Sequence, residues 1–309
     1  MNNVIKFFSE GYKLAEELFK NHPNYIETDI NTADLIISSK IDTGEVNSKV
    51  IQNAISSYKN TRKIVLFILV SDNESFFKIP ENVLLFRTSL RKSKRCKNEF
   101  LLPYLWECFD KPASPLLKSE KPIIGFCGNI KKNLGKRFST IEAFKESDAI
   151  VSNFILRNDF WGGKPHDSTL KNDFYENLKN SHFTICNRGK GNFAIRFYQT
   201  LSLGRIPVLI DTDMEFPFEE EINWKNHIIT GKNEFDLVLE TQKFWNSHTE
   251  EEIIAIQNSN RNLFENYFTP NCFVDKISTI IYNKINTIDF DNKSHSFFDR
   301  ILNKIRLNG

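Results

Sequence analysis

Residues 181–224 read SHFTICNRGKGNFAIRFYQTLSLGRIPVLIDTDMEFPFEEEINW. Residues 182–186 alternate in the manner of a short strand, and residues 187–191 form a polar loop carrying two glycines, Gly189 and Gly191. A helix is expected next. Asn192 is placed to cap it, because its side-chain oxygen can accept from a first-turn amide. Phe193, Phe197 and Leu201, with Ala194 and Tyr198 beside them, recur at helical spacing, and Gly204 stands where a left-handed closing residue belongs. Residues 206–210 are an unbroken apolar run of the kind buried on both faces of a parallel sheet. Strand, glycine loop, helix and buried strand make a β-α-β unit, which offers ligands the carboxyl ends of its strands.

Function is therefore expected in the loop. Amides at a helix start carry partial positive charge, and glycines let backbone approach a phosphate closely. Arg188 lies in the loop. Asn192, Arg196 and Gln199, spaced i, i+4, i+7, share the helix face opposite the apolar stripe. Two guanidiniums beside a helix start form a diphosphate-shaped arrangement. Either arginine alone reads as well as a solvated helix residue or the partner of a surface acid; the whole arrangement favours an anionic ligand.

The run NRGKGNFAIRFYQTLSLGRIPVLIDTD, followed by Pro217-Phe218 and Ile222-Asn223-Trp224, resembles the exostosin-type glycosyltransferase family. That family's pattern is close to P-R-G-x-G-x-x-x-x-R-F-x-E-x-L-x-x-G-x-I-P-V, then Pro-Phe and Ile-Asn-Trp. The resemblance is strongest over residues 121–230. It implies an α/β fold of GT-B type, two Rossmann-like lobes with a cleft between them, and a nucleotide-sugar held in the second lobe. Arg188 and Arg196 stand at the family's two arginines, implied to contact the donor diphosphate. Gln199 stands where the family usually has an acid that holds the ribose hydroxyls; its amide can bond a hydroxyl without charge assistance. Phe126-Cys127-Gly128 resembles the family's F-x-G element, which makes Arg137 the candidate for the arginine that follows it. Pro217-Phe218 and Ile222-Asn223-Trp224 are expected to wall the nucleotide base.

At 309 residues the chain is long enough for two lobes, and 40% hydrophobic with 26% charged residues describes an ordinary globular protein. A net charge of +2 implies no bulk attraction to nucleic acid or anionic membrane. Arg87, Arg91, Lys92, Lys94, Arg95 and Lys97 form a local basic cluster without a nucleic-acid reader motif, so no nucleic-acid partner is expected. It reads as a solvated face, or as a basic rim meeting an anionic or phosphate-linked glycan acceptor or lipid headgroups. Five scattered cysteines (Cys96, Cys108, Cys127, Cys186 and Cys272) fit reduced, buried thiols better than disulfides or a zinc site. The longest apolar run, residues 64–70, is strand-sized, and the first twenty residues lack a signal-peptide core. Since animal and plant exostosin-like enzymes generally carry a membrane anchor, the expectation is a cytoplasmic enzyme of bacterial type, compatible with peripheral contact at the inner membrane face.

Along the chain, the pattern predicts a helix over 4–20, an extended stretch over 33–38, a helix over 49–58, a central strand over 63–70 with Asp72 and Glu74 at its carboxyl end, and a strand over 83–86. Strands alternating with helices suit a Rossmann-like lobe. Residues 110–121 have linker composition. The expected division is 1–118 for an acceptor-side lobe, 119–285 for the donor lobe and 286–309 for a C-terminal amphipathic helix, its residues 297–307 packed on the first lobe. In the second lobe a strand over 122–127 ends at Gly128, a helix carries Leu134, Phe138 and Ile141, and a strand over 149–156 brings Arg157 to the cleft. Phe160 and Trp161 are placed to stack on a ring, while His166 and Asp167 read as surface residues. Helices are expected over 168–180, 234–245 and 250–267. Asp211-Thr212-Asp213 reads as a turn rather than a metal signature, and no metal or cofactor beyond the nucleotide-sugar substrate is expected.

The implied reaction moves a sugar from a nucleotide-sugar to a hydroxyl of a glycan or lipid-linked glycan, in bacterial surface polysaccharide synthesis. Arg188, Arg196, Arg137 and the amides at Gly191 and Asn192 would meet the leaving diphosphate. Asp72, Glu74 and Glu99 are the candidates for the base. The rival reading is a non-catalytic partner that keeps the fold and binds sugar or nucleotide, and Gln199 motivates it.

Overall fold

The computed structural model describes residues 4–41, 43–131 and 136–288, and the tail 297–307 and Leu134 lie outside them. Two all-parallel sheets carry the architecture. The first contains β1 (Ile5–Ser9), β2 (Tyr25–Glu27), β3 (Leu35–Ile37), β4 (Ile64–Leu69), β5 (Val83–Arg87) and β6 (Glu99–Leu101), in the order β2-β1-β3-β4-β5-β6. Helices α1 (Lys13–Phe19) and α2 (Ser48–Ser56) connect its early strands. β4 lies between β3 and β5, with every residue buried, which is why its sequence is apolar without alternation.

The second sheet contains β7 (Ile123–Asn129), β8 (Val151–Arg157), β9 (Phe183–Ile185), β10 (Ile206–Ile210) and β11 (Ile229–Gly231), in the order β11-β10-β9-β7-β8. It is flanked by α3 (Arg137–Lys145), α4 (Ser168–Lys179), α5 (Ile195–Ser202), α6 (Glu234–Ser247) and α7 (Glu250–Tyr267). α5 closes at Gly204, whose φ of +71° is the left-handed conformation expected of it. Helix α8 (Pro270–Thr287) returns to the first sheet, burying Phe273, Val274, Ile277 and Ile281 beside Phe7 and Phe86. Each such side chain contributes about 2 kcal/mol of transfer free energy, and the Tyr25 hydroxyl meets Ser278 Oγ at 2.9 Å.

The expected helix over 4–20 is wrong: residues 5–9 are strand β1 and only 13–19 are helical. Ile5 and Phe7 are both buried, a spacing of two, and β1 pairs with β2 on one side and β3 on the other. Sheet pairing outweighs helix spacing there, and Gly11 at φ +91° separates the two elements. The three-residue strands β2 and β6 are too short to show a period.

The basic stretch after β5 keeps Lys92, Lys94, Arg95 and Lys97 exposed, as expected of a solvated face, and it also ties the lobes together. Arg91 pairs with Met214 in an antiparallel bridge, and the Lys92 amide donates to Asp213 O at 2.9 Å. Lys92 pairs with Glu219, Arg95 Nη1 lies 2.7 Å from Glu215 Oε1, and Ser93 donates to the Asp213 carboxylate. Arg87 turns inward to Glu99. Leu90 and Leu101 of the first lobe join Phe193, Phe197 and Trp224 of the second in one apolar cluster. Among the described residues, no helix is long and apolar enough to cross a membrane.

Candidate active site

A cavity of about 570 Å³ lies between the lobes, where the carboxyl ends of the central strands meet. Its walls include Asp72 from the first lobe, Gly128, Arg137, Arg157, Gly191, Arg196 and Gln199 from the second, and Tyr104, Trp106 and Glu107 from the segment joining them.

Arg196 and Arg137 form its charged floor, each only 7% exposed. Arg196 Nη2 donates to Cys127 O at 2.7 Å, its guanidinium lies 4.3 Å from the Phe126 ring centroid, and its Nε is buried without a partner among the described residues. Among the described residues Arg137, the first residue of α3, makes only long contacts, Nε to Asn187 O at 3.3 Å and Nη1 to Asn129 O at 3.5 Å. Burial pushes the Arg196 pKa down. Burial and then the neighbouring Arg196 push Arg137 down to about 9. Among the described residues no ion pair joins either guanidinium to a carboxylate, although the field of Asp72 reaches Arg137. Buried cations held together without counter-charge are costly, and an anion seated between them would relieve that cost.

Glycines keep the approach to both arginines open. A β-carbon at Gly128 (φ +150°) would lie 2.6 Å from Arg196 Nη2, and one at Gly189 would lie 3.1 Å from Arg137 Nη2. α5 starts later than expected. Ala194 is its N-cap, and Ala194 and Ile195 line the cavity. Asn192 is fully buried and serves as a tie instead of a cap: its Oδ1 accepts from Arg188 at 2.9 Å and from Thr212 Oγ1 at 2.7 Å, and its Nδ2 donates to Leu90 O at 3.1 Å and Asp213 O at 3.2 Å. Four partners satisfy a buried amide more completely than one capping bond.

Arg188 does not share the floor with Arg196. Its guanidinium pairs with Glu74 of the first lobe and donates to Lys190 O at 2.7 Å, outside the cavity lining. Gln199, 3% exposed, lines the cavity and donates from Nε2 to Glu107 O at 2.9 Å. Arg157 reaches the wall from the end of β8, its Nη2 donating to Leu170 O at 2.9 Å and lying 3.4 Å from Asp173 Oδ2. Phe160 and Trp161 are at the mouth, half-exposed, with Trp161 and Gly162 at φ +54° and +63°.

Of the candidate bases, Asp72 is exposed and faces the cavity. Glu99 is not at the site. It is fully buried within the first lobe, 2.8 Å from Arg87 Nη2, and accepts from the Cys96 amide at 3.0 Å; burial pushes its pKa up. Trp224 and Phe218 do not wall the cavity either. Trp224 packs in the apolar interlobe cluster, 5.3 Å from Phe197 between ring centroids, with Nε1 donating to Pro217 O at 2.9 Å. Asp167 caps α4 through the amides of Thr169 and Leu170. Asp211 and Asp213 form a turn: the Asp213 amide donates to Asp211 Oδ1 at 2.9 Å, with Asp213 at φ +62°. Tyr104, Trp106 and Glu107 were not anticipated as site residues; the aromatic run before the linker was their only signal.

Residues 89–233 match the family model of the Exostosin GT47 domain. That stretch of the chain is similar to an exostosin GT47 domain. Over 107 residues it is 31% identical to exostosin-1 of Bos taurus, an alignment covering 35% of this chain and 14% of that protein. Exostosin-1 of Drosophila melanogaster is 33% identical over 96 residues, 31% of this chain and 12% of the relative. The GT47 domain thus aligns with a small part of those longer proteins. Among solved structures, a glycosyltransferase from Rickettsia africae is similar over 92% of this chain and 90% of its own, at 12% identity and a TM-score of 0.44. A spinosyn rhamnosyltransferase complexed with thymidine diphosphate is similar over 80% and 73%, at 10% identity and a TM-score of 0.41. The two parallel sheets of this chain, facing each other across the arginine-floored cavity, have the GT-B arrangement.

Proposed function

We propose that this chain transfers a sugar from a nucleotide-sugar to a hydroxyl of a glycan acceptor, free or lipid-linked, as in the building of a bacterial surface polysaccharide. The observation that carries the reading is the pair of buried guanidiniums, Arg137 and Arg196, facing a cavity without a carboxylate partner among the described residues. A diphosphate has the charge and the oxygens to satisfy both. As the anomeric bond breaks, negative charge grows on the departing diphosphate, and groups already fixed at that point stabilise the transition state more than the ground state. The amides at the start of α5 would add to that field. Phe160 and Trp161 would cover the base or the sugar, and Tyr104 and Trp106 the acceptor side.

In the inverting form, Asp72 takes the proton from the acceptor hydroxyl as its oxygen bonds to the anomeric carbon, while the electron pair of the broken bond leaves with the diphosphate. The reaction so written draws on side chains and helix-start amides and on no cofactor besides the nucleotide-sugar, which is substrate. The test is release of nucleoside diphosphate from a panel of nucleotide-sugars with glycan acceptors; no release with any of them contradicts the reading. Gln199 favours one second reading, a non-catalytic binding partner, because its amide is engaged with Glu107 O where an acid would serve the ribose. Donor binding with transfer appearing only after Gln199→Glu would support that alternative.

A further inference from the structure

Arg188 stands in the glycine loop of the second lobe, yet its guanidinium turns to the first lobe. It pairs with Glu74 and is braced by Asn192 Oδ1 at 2.9 Å and Lys190 O at 2.7 Å. Glu74 also takes Arg91 Nε at 2.5 Å, so one carboxylate lies between two guanidiniums, one from each lobe. The side chains of Glu74 and Arg188 are only 13% and 17% exposed, which limits screening of the pair. Three residues after Arg188 the same loop meets the first lobe again: a β-carbon at Gly191 would lie 2.6 Å from Asp72 Oδ1 and 2.1 Å from Ser89 Oγ. Asp72 and Glu74 follow β4 two residues apart. The segment bearing the proposed base is thus joined to the glycine loop twice, once by an ion pair and once by close packing at Gly191, where an added β-carbon would displace the Asp72 or Ser89 side chain.

We infer that Glu74 is a positioning residue: through Arg188 it docks the glycine loop on the first lobe and so fixes Asp72 relative to the Arg137–Arg196 floor. Arg188 is then a strut between the lobes, and the donor diphosphate rests on the other two arginines. The catalytic consequence rests on the transferase reading; the docking itself does not. Four proteins test it, the full chain and its Glu74→Gln, Arg188→Gln and doubly substituted forms. Without any ligand, hydrogen exchange at loop amides 187–192 is expected to speed up in both single variants and no further in the double, as for two residues acting through one contact. Unchanged exchange in Glu74→Gln overturns the docking, whatever the chain's activity.

With uridine, thymidine, guanosine and adenosine diphosphates as probes, the single variants are expected to bind within about twofold of the parent, while transfer kcat falls about tenfold or more. A Kd raised about tenfold in Arg188→Gln but not in Glu74→Gln makes Arg188 a donor ligand and overturns the inference. If the parent binds none of the probes, the transferase reading fails, and the exchange measurement still decides the docking.

Discussion

A β-carbon on Gly128 would lie 2.6 Å from Nη2 of Arg196, closer than real β-carbons come to any neighbour. Gly128 also holds φ at +150°, a conformation that side chains disfavour. Gly128→Ala is therefore expected to push the guanidinium off its bond to Cys127 O and to weaken nucleoside-diphosphate binding about tenfold or more, which corresponds to about 1.4 kcal/mol. Calorimetry on the folded variant checks it; unaltered affinity would place the diphosphate away from Arg196.

Asp72 faces the cavity from the first lobe and touches the glycine loop at Gly191. Asp72→Asn keeps the shape and removes the basic oxygen. Transfer is expected to fall by about 10²–10⁴-fold, in the range of lost general-base catalysis, with nucleoside-diphosphate affinity nearly unchanged. A variant that still turns over at the parent rate would exclude Asp72 as the base.

Gln199 is buried, and its amide donates to the carbonyl of Glu107. Gln199→Glu turns that donor into an acceptor facing an acceptor, so a loss of about 1–3 kcal/mol in unfolding free energy is expected. Denaturant titration reads it directly. An equally stable variant would mean that the bond contributes nothing to holding the joining segment against α5.

Much of the second lobe could be read from the sequence because its signals are local. An uninterrupted apolar run gave β10, and helical spacing closed by Gly204 gave α5. Arg196 follows from its place on that helix. The helical spacing over residues 4–20 fails at its start because burial of alternate residues in a five-residue strand competes with a helical pattern continuing beyond it. Glu74 and Arg188, 114 positions apart, meet only because the lobes face one another, and no periodicity encodes such a meeting. The interlobe pairs of the basic cluster are hidden from the sequence for the same reason: their acids, Glu215 and Glu219, lie in the other lobe.

Glu215 gives a pH prediction. Burial pushes its carboxyl up to about 7, with Arg95 partly opposing the rise. A carboxyl raised on folding adds stability that is full below its unfolded value, near 4.5, and is lost as pH rises through about 7. Glu215→Gln should accordingly show a Tm, relative to the parent, that is higher at pH 8 than at pH 5. A difference of the opposite sign would mean that the pair with Arg95 outweighs the burial of Glu215.

Binding of nucleoside diphosphates to the intact chain, followed by calorimetry beside Arg137→Ala and Arg196→Ala variants verified as folded, tests the central claim most directly. At least one of the uridine, thymidine, guanosine and adenosine diphosphates is expected to bind the parent, with affinity falling about tenfold or more in each variant as one charge-assisted contact is lost. Parent protein that binds none of them, or variants that bind as tightly as the parent, would contradict the account.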